Sequence, residues 1–326
     1  MIRLARSRRI ESVVDAVGST PLVRLRVVTS KAPDVDVYAK LEFANPGGSV
    51  KDRAALRMIQ DALADKRLTP DKILIDSTSG NTGVAYSLFG AAFGVRVRLV
   101  MPSNVSKARK DIARAFGTDI LFTDPMEGSD GAIRRVREIV AEAPDRYFYP
   151  DQYANPSNPQ AHYDGTGAEI LDALDGKVTH FVAGLGTTGT MMGTTRRLKA
   201  HDPRIRCLAV EPAEALHGLE GLKHLASSLV PPIYDASVPD EVVSVTTEDG
   251  WDMADRLARE EGLHVGHSSG ANVFAAVRLA EELQAQRKTQ TQENRDRGER
   301  CRIVVIVCDR GDRYFAPMKW ERRYIW

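Results

Sequence analysis

The sequence predicts an α/β protein of two three-layer αβα domains, each built on a twisted and mostly parallel sheet. Short apolar runs typical of strands alternate with amphipathic helical segments along most of the chain. Several of these runs are followed by glycine- and hydroxyl-rich turns that open helices. The length of 326 residues suggests about two domains. Together these observations favour parallel strands connected by helices.

The first half of the chain shows this alternation clearly. Ser49 and Asp52 have the spacing of a capping box at the start of a helix, and Gly94 ends an apolar helix. Alternating or wholly apolar runs indicate the strands. The predicted helices are 11–17, 49–66, 84–93, 107–116 and 131–142, and the predicted strands are 37–43, 73–75, 95–101, 119–122 and 147–149.

The second half begins with an extended segment, Asp151–Pro159, which prolines interrupt. A domain boundary near its start gives a smaller, mobile domain of residues 46–150 and a larger one of residues 1–45 and 151–326. After it we predict helices at 167–174, 190–199, 249–260 and 273–283, and strands at 179–183, 205–210, 263–265 and 303–307. Residues 211–240 are predicted to be a long loop, and 284–300 a polar, charged segment.

Composition and charge exclude several classes of function. Lys plus Arg number 45 and Asp plus Glu 44, which leaves a net charge of +1 and no field to attract nucleic acid or a membrane surface. No apolar run is long enough to span a bilayer. The three cysteines lack the spacing of metal ligands, and the histidines form no cluster, so we predict no metal site and a cytoplasmic location.

Lys51 stands out because it lies in the first turn of a predicted helix, where the helix dipole disfavours a cation. A neutral lysine amine can form a Schiff base with an aldehyde. The preceding Pro46-Gly47-Gly48 lets backbone approach a ligand closely, since glycine has no side chain. For a single lysine, a solvated surface charge is the usual alternative.

Three turns rich in glycine and hydroxyl residues could bind anions at helix N-termini: 77–83, 184–190 and 266–272. In the second, Gly184, Gly186 and Gly189 also have the spacing of a dinucleotide fingerprint, with Glu211 placed to bind a ribose. Its three threonines instead favour a terminal phosphate, because they add hydroxyl donors. From these residues alone, a nicotinamide-dependent dehydrogenase stays an alternative.

Six motifs in one order resemble the cysteine synthase and cystathionine β-synthase family, and most of all its CysM type. They are Pro46–Arg53, Thr78–Gly83, Gln152–Pro156, Gly186–Thr190, Ser268–Gly270 and Asp309–Tyr314. The resemblance extends from about Val13 to Tyr314. It implies a pyridoxal 5'-phosphate enzyme of fold type II, the fold of the tryptophan synthase β subunit.

The resemblance also implies a role for each matched residue. Lys51 would form the Schiff base and act as the catalytic base, Asn81 would contact the cofactor's phenolic oxygen, and Ser268 would face its pyridine nitrogen. The cofactor phosphate would be held by Gly186, Thr187, Thr188, Gly189 and Thr190. The substrate carboxylate would be bound by Thr78, Ser79, Gly80, Thr82 and Gln152.

The implied reaction is a β-replacement on O-acetylserine or O-phosphoserine. Lys51 would remove the Cα proton, the β-substituent would leave, and a sulfur nucleophile would add to the resulting α-aminoacrylate to give L-cysteine. Sulfide, or a thiocarboxylate on a sulfur-carrier protein, would be the nucleophile, and a homodimer is expected. Lys223 lies in the long loop where phosphoserine-using relatives have a cation, which suggests O-phosphoserine.

Two departures from the common pattern keep other substrates open. Arg310-Gly311-Asp312-Arg313-Tyr314 stands where many cysteine synthases have Ser-Gly-Glu-Arg-Tyr, and it resembles synthases of 2,3-diaminopropionate precursors. His267 before Ser268 is also unusual. A related synthase with another nucleophile, including a cystathionine β-synthase, is therefore an alternative.

Overall fold

A computed structural model of the protein describes residues 9–78, 80–105, 107–289 and 300–314. Ser79, one of the predicted substrate-binding residues, lies outside them, as do most of the polar segment 284–300 and the aromatic end Trp320–Trp326. The described chain forms two sheets, one of six strands and one of four.

The six-stranded sheet has the order β1-β2-β10-β7-β8-β9. Its pairs are parallel except β1 with β2, which is antiparallel. The strands are β1 Leu22–Leu25, β2 Val35–Leu41, β7 His180–Gly184, β8 Arg206–Pro212, β9 Glu241–Val245 and β10 Cys301–Val307. The four-stranded sheet lies between β2 and β7 in the chain.

The four-stranded sheet is wholly parallel, with the order β5-β4-β3-β6. Its strands are β3 Ile73–Ser77, β4 Arg96–Pro102, β5 Asp119–Thr123 and β6 Tyr147–Phe148. All of them fall within residues 46–150, while the strands of the other sheet fall outside that range. The exact domain boundaries stay a prediction.

Helices cover both faces of each sheet. The helices are α1 Lys51–Ala64, α2 Asn81–Phe93, α3 Lys107–Ala115, α4 Gly128–Glu142, α5 Ser157–Ala161, α6 Ala168–Ala173, α7 Gly189–His201, α8 Thr247–Glu260 and α9 His267–Lys288. Residues of α1, α2 and α3 share a buried core with one face of the four-stranded sheet, and residues of α4 pack on the other. Residues of α8 and α9 pack on one face of the six-stranded sheet, and those of α6 and α7 on the opposite face.

Strand β10 shows why the sequence adopts this layering. Ile303, Val305 and Val307 belong to the core beneath α9, while Val304 and Ile306 belong to the core beneath α7. Successive side chains of a strand point to opposite faces, so a strand between two helical layers must be apolar throughout. The continuous apolar run from Ile303 is therefore a consequence of the three-layer arrangement.

Several element boundaries differ from those predicted. Strands β1 and β9 were not predicted; both are edge strands with largely exposed residues, so their periodicity is weak. The predicted strand at 263–265 is a single bridge between Val265 and Arg310. Helix α9 begins at His267 and reaches Lys288, because Gln284 is buried and hydrogen-bonded to Asp34.

The predicted helix at 11–17 is a single 3₁₀ turn, Val13–Ala16. Within the described ranges, every helix is too short or too polar to cross a bilayer.

Candidate active site

Three chain segments meet at the carboxyl ends of the parallel strands, where α/β proteins place their ligands. The backbone N–H of Val50 donates to the carbonyl of Cys308 at 2.8 Å, and that of Gly266 donates to Asp309 at 3.2 Å. Ser49 and Asp309 form an isolated antiparallel bridge. The turn before α1, the end of β10 and the start of α9 are therefore joined through their backbones.

Lys51 is the first residue of α1 and is half-buried. Its charge is close enough to lower the pKa values of both Cys308 and Asp309. Burial is the larger effect on both groups, and it raises the pKa of the Cys308 thiol to about 11. Lys51 thus lies near Cys308 and Asp309, the segment that follows β10.

The capping box predicted for α1 does not form. The Ser49 hydroxyl accepts from the Lys51 N–H at 3.2 Å, while the Asp52 carboxylate accepts from the N–H of Gly47. A Cβ on Gly47 would lie 2.4 Å from Asp52 Oδ1, so the turn needs glycine there. Burial raises the pKa of Asp52 to about 7. This side chain fastens the Gly47 turn onto the helix that carries Lys51.

The second predicted anion loop connects β7 to α7. Thr188 has a left-handed backbone with φ of +70°, and its Oγ1 is buried without a hydrogen-bond partner. The Asn158 amide donates to Thr187 Oγ1 at 3.1 Å, and Thr190 Oγ1 lies 3.2 Å from His162 Nε2. Burial lowers the pKa of His162 to about 3, so this imidazole is neutral near pH 7. Hydrogen bonds thus fix the hydroxyls of Thr187 and Thr190, whereas the Thr188 hydroxyl has no partner within the protein and could bind a ligand.

Glycines shape this loop tightly. A Cβ on Gly186 would lie 2.2 Å from the Gly221 carbonyl oxygen, and one on Gly189 would lie 2.0 Å from Asn158 Oδ1. Contacts this close exclude any side chain. The N-terminus of α7 also leaves backbone N–H groups unbonded within the helix, which suits an anion with several oxygens.

The first predicted anion loop connects β3 to α2, which begins at Asn81 without a side-chain cap. Thr82 Oγ1 donates to Gln152 Oε1 at 2.8 Å, and both residues are buried. Thr78 Oγ1 accepts from the Gly80 N–H at 3.4 Å. The structure thus brings Thr78, Gly80, Thr82 and Gln152 to one place.

Asn81 links this loop to the end of β10. Its Nδ2 donates to Asp309 Oδ2 at 2.6 Å, and its Oδ1 accepts from Arg313. Tyr314 also donates to Asp309 Oδ2. Burial raises the pKa of Asp309, although the hydrogen bonds that it accepts from Tyr314 and Asn81 oppose the shift.

Ser268 lies in the first turn of α9 and is buried. Its hydroxyl interacts with the Cys308 thiol, and the neighbouring Ser269 accepts from the Cys308 N–H at 2.8 Å. The ring of His267 lies between those of Trp251 and Tyr314, with centroids 5.1 and 5.4 Å away. The third predicted loop therefore contacts the segment that follows β10.

Lys223 lies in the long loop after β8 and borders the same region. Its backbone N–H donates to the Leu185 carbonyl at 2.7 Å, and its ammonium lies 5.2 Å from the centroid of the Tyr153 ring. Glu211, the ribose-binding candidate of the dinucleotide alternative, instead accepts from the Leu225 N–H at 3.2 Å.

Sequence reasoning did not single out Asp52, Asp309 and Arg313 as site residues. Asp309 and Arg313 follow the last buried strand of a parallel sheet, and the carboxyl ends of such strands are where ligands bind. Their position directly after that strand was the sequence signal that could have identified them as site residues. Among the described residues, no three His, Cys, Asp or Glu side chains are grouped as a metal site would require.

Comparisons with known proteins agree with this geometry. The model of the family described as "Pyridoxal-phosphate dependent enzyme" matches residues 13–309. A cysteine synthase of Aquifex aeolicus is 48% identical over 308 residues, covering 94% of this chain and 91% of the relative. Cysteine synthase B of Pseudomonas aeruginosa is 38% identical over 312 residues, covering 96% of this chain and 98% of the relative.

A solved structure shows the same fold. The crystal structure of a cysteine synthase from Entamoeba histolytica superposes with a TM-score of 0.88 at 36% identity, covering 98% of this chain and 94% of that chain. The chain belongs to the pyridoxal-phosphate dependent enzymes, and within them it is an enzyme of the cysteine synthase type. The dehydrogenase alternative is thereby set aside.

The residues present fit pyridoxal phosphate. The unpartnered Thr188 Oγ1 and the N-terminus of α7 offer donors to a phosphate group, and glycine at positions 186 and 189 keeps side chains out of the loop. Lys51 supplies a primary amine, whose charge acts on Cys308 and Asp309. A phosphate-binding loop and a lysine on one side of a cleft are the two attachments that this cofactor requires.

Proposed function

We propose that this enzyme makes L-cysteine from O-phosphoserine or O-acetylserine by β-replacement with a sulfur nucleophile. The Cβ–O bond of the substrate breaks, phosphate or acetate leaves, and a Cβ–S bond forms. The observation that supports the proposal is Lys51 at the first position of α1, close enough to Cys308 and Asp309 for its charge to act on both.

In this proposal the cofactor is held at both ends. Lys51 binds its aldehyde carbon, and its phosphate is bound by the hydroxyls of Thr187, Thr188 and Thr190 with the backbone of Gly186 and Gly189. The unpartnered Thr188 Oγ1 supports this. When bound, the cofactor withdraws electrons from the Cα of an attached amino acid and so weakens its C–H bond.

The residues around the ring tune this withdrawal and move the proton. Ser268, a neutral hydroxyl, is proposed to face the pyridine nitrogen, and Asn81 the phenolic oxygen. Lys51 Nζ would take the Cα proton as general base. The substrate carboxylate is bound at the N-terminus of α2 by Thr78, Ser79, Gly80, Thr82 and Gln152, and the observed hydrogen bond between Thr82 and Gln152 supports their joint role.

Replacing Lys51 tests the assignment directly. Lys51→Ala is expected to abolish both the visible absorbance that the cofactor shows when bound to the protein and cysteine formation, because no amine remains at that position. Lys177→Ala removes an exposed lysine and serves as the matched control. A Lys51→Ala protein that still makes cysteine at the wild-type rate would refute the proposal.

We further propose O-phosphoserine as the substrate, because the Lys223 ammonium lies 5.2 Å from the ring of Tyr153, the residue next to the proposed substrate-binding Gln152. Lys223→Ala should raise KM for O-phosphoserine by roughly tenfold, the effect of losing one charged hydrogen bond, and leave KM for O-acetylserine within about twofold. Kinetics with both substrates, again with Lys177→Ala as control, measure this. Equal changes for the two substrates would remove the basis for phosphoserine.

The setting of the reaction is also a proposal. Free thiols at Cys207, Cys301 and Cys308 suit a reducing cytoplasm. A homodimer, a sulfur-carrier protein as nucleophile donor, and mobility of the domain of residues 46–150 are proposed from the family resemblance. Light scattering on the purified protein and a comparison of sulfide with a thiocarboxylate donor would test the first two.

A further inference from the structure

Arg313 bridges two loops of the site from a third one. It lies in the 3₁₀ turn Gly311–Tyr314, directly after the β10 segment. Its Nη1 donates to Oδ1 of Asn81, and its Nη2 donates to the carbonyl oxygen of Gly47. Gly47 precedes Lys51 by four residues, and Asn81 begins α2. One guanidinium thus contacts both the lysine-bearing turn and the turn proposed to bind substrate.

This contact determines which way the Asn81 amide points. A guanidinium has only donors, and a carboxylate has only acceptors. Asn81 lies between the guanidinium of Arg313 and the carboxylate of Asp309, which accepts from Nδ2 at 2.6 Å. The amide oxygen must therefore face Arg313, and the amide nitrogen, with its second N–H, must lie on the opposite side.

The Gly47 turn is shaped around the same guanidinium. Its peptide group is held at both ends, since the N–H donates to Asp52 and the carbonyl accepts from Arg313. Gly48 has φ of +78°, and a Cβ there would lie 2.6 Å from Arg313 Nη2. A side chain at Gly48 would displace Arg313. The close approach shows that the turn and Arg313 are packed as one unit.

Electrostatic interactions with two buried carboxyl groups also favour Arg313 at this position. Burial raises the pKa values of the Asp52 and Asp309 carboxyl groups, and the positive charge of Arg313 opposes this shift in both. Arg310, three residues earlier, is exposed, and its guanidinium lies 3.4 Å from the Asp312 carboxylate. The two arginines of the same turn therefore have different surroundings.

We propose that Arg313 is a positioning residue that orients the Asn81 amide toward the cofactor, while its hydrogen bond to the Gly47 carbonyl holds the guanidinium itself in place. This inference depends on the proposed roles of Asn81 and Lys51. Arg313 acts through Asn81, so the effect of removing Arg313 must depend on whether Asn81 is present.

A double-mutant cycle tests this dependence with Arg313→Met, Asn81→Ala and the double variant. Two quantities are measured: Kd for pyridoxal phosphate, by titrating the cofactor-free protein, and kcat. We expect Arg313→Met alone to raise Kd three- to tenfold and to lower kcat about ten- to a hundredfold, since a small displacement of a site group costs this much. In the double variant both values should stay within about twofold of Asn81→Ala alone.

The matched control is Arg310→Met, which should leave Kd and kcat within about twofold of wild type. The proposal is overturned if Arg313→Met behaves like Arg310→Met. It is also overturned if the fold-changes in Kd and kcat of the double variant equal the products of the fold-changes in the two single variants. If Arg313→Met does not fold, the same cycle with Arg313→Lys decides, because lysine keeps the charge but cannot bridge two acceptors as a fork. Failure of the proposed function itself is distinguishable, because Lys51→Ala would then retain the cofactor's visible absorbance.

Discussion

Asp76 carries a carboxyl group in the interior of the four-stranded sheet, immediately before the turn that leads to Asn81. Its Oδ1 accepts from the Ser77 N–H at 2.7 Å, and the carboxyl group also interacts with the buried Tyr86 hydroxyl. Burial raises the pKa of Asp76 to about 7, and the neighbouring charge of Asp151 adds to the shift. Near neutral pH the group is therefore divided between its protonated and ionised forms.

Asp76→Asn is expected to gain stability over wild type as the pH rises. The folded-state pKa lies above the unfolded one, so the protonated form stabilises the protein at low pH, and this contribution is lost as the pH rises through about 7. Asparagine mimics the protonated form and does not titrate. The difference in unfolding free energy between variant and wild type should grow by roughly 2–3 kcal/mol between pH 5 and pH 8.

Urea unfolding at both pH values measures this, with Asp145→Asn as control because Asp145 is exposed. A difference that does not change with pH would show that Asp76 is ionised throughout.

At the scale of the elements, a buried charge cluster fastens α1 to the six-stranded sheet. Arg53, two residues after Lys51, pairs with Glu42 at 2.6 Å and with Glu169 at 2.7 Å, and Lys40 pairs with Glu169 at 2.6 Å. Burial favours the neutral form of Glu169, but Arg53 and Lys40 outweigh it and lower its pKa to about 2. Every charge in the cluster is paired with an opposite charge, and these ion pairs fix the position of the start of α1.

Arg53→Lys should destabilise the protein by about 1.5–3 kcal/mol, because lysine cannot reproduce the forked contacts to both Glu42 and Glu169 and so loses at least one charged hydrogen bond of the cluster. The neighbouring Arg57→Lys is the control. Its side chain is 34% exposed and pairs with Asp61 and Asp164, so its loss should cost no more than about 1 kcal/mol. Thermal or urea unfolding compares the two. Equal losses would mean that the cluster contributes no more than a surface ion pair.

At the scale of the whole molecule, an ion pair crosses the cleft between the two sheets. Arg109, on α3, donates to Glu220 in the long loop after β8, and its guanidinium lies 5.9 Å from the centroid of the Tyr314 ring. Arg109 belongs to the four-stranded part and its two partners to the six-stranded part. The contact therefore links the two parts of the molecule near the end of β10.

Arg109→Gln is expected to raise KM for the amino-acid substrate two- to fivefold, the effect of losing a partly exposed ion pair worth at most about 1 kcal/mol. The wild-type KM should rise with ionic strength because salt screens such a pair, while the KM of the variant should not. Arg114→Gln, which removes a more exposed arginine 3.9 Å from Asp111, is the control. The same salt dependence in wild type and Arg109→Gln would contradict this role.

Much of the molecule was predictable because its determinants are local. Glycine, hydroxyl and apolar patterns indicated the turns before α2, α7 and α9, and the helix position of Lys51 followed from its neighbours. The three-layer architecture follows from runs such as Ile303–Val307, which are apolar on both faces. These features depend on residues adjacent in the chain, so sequence by itself determined them and the order of the six motifs.

Only the tertiary structure decided the contacts between distant residues. Ser49 and Asp52 have the spacing of a capping box, but a Gly47 N–H within reach takes the Asp52 carboxylate instead. Arg313 reaches Asn81 across 232 positions of the chain, and no periodicity encodes that approach. The short edge strands β1 and β9 likewise depend on partners elsewhere in the sheet. Such pairings arise from the packing of whole elements, which is why the hydrogen-bond network of the site emerged only from the fold.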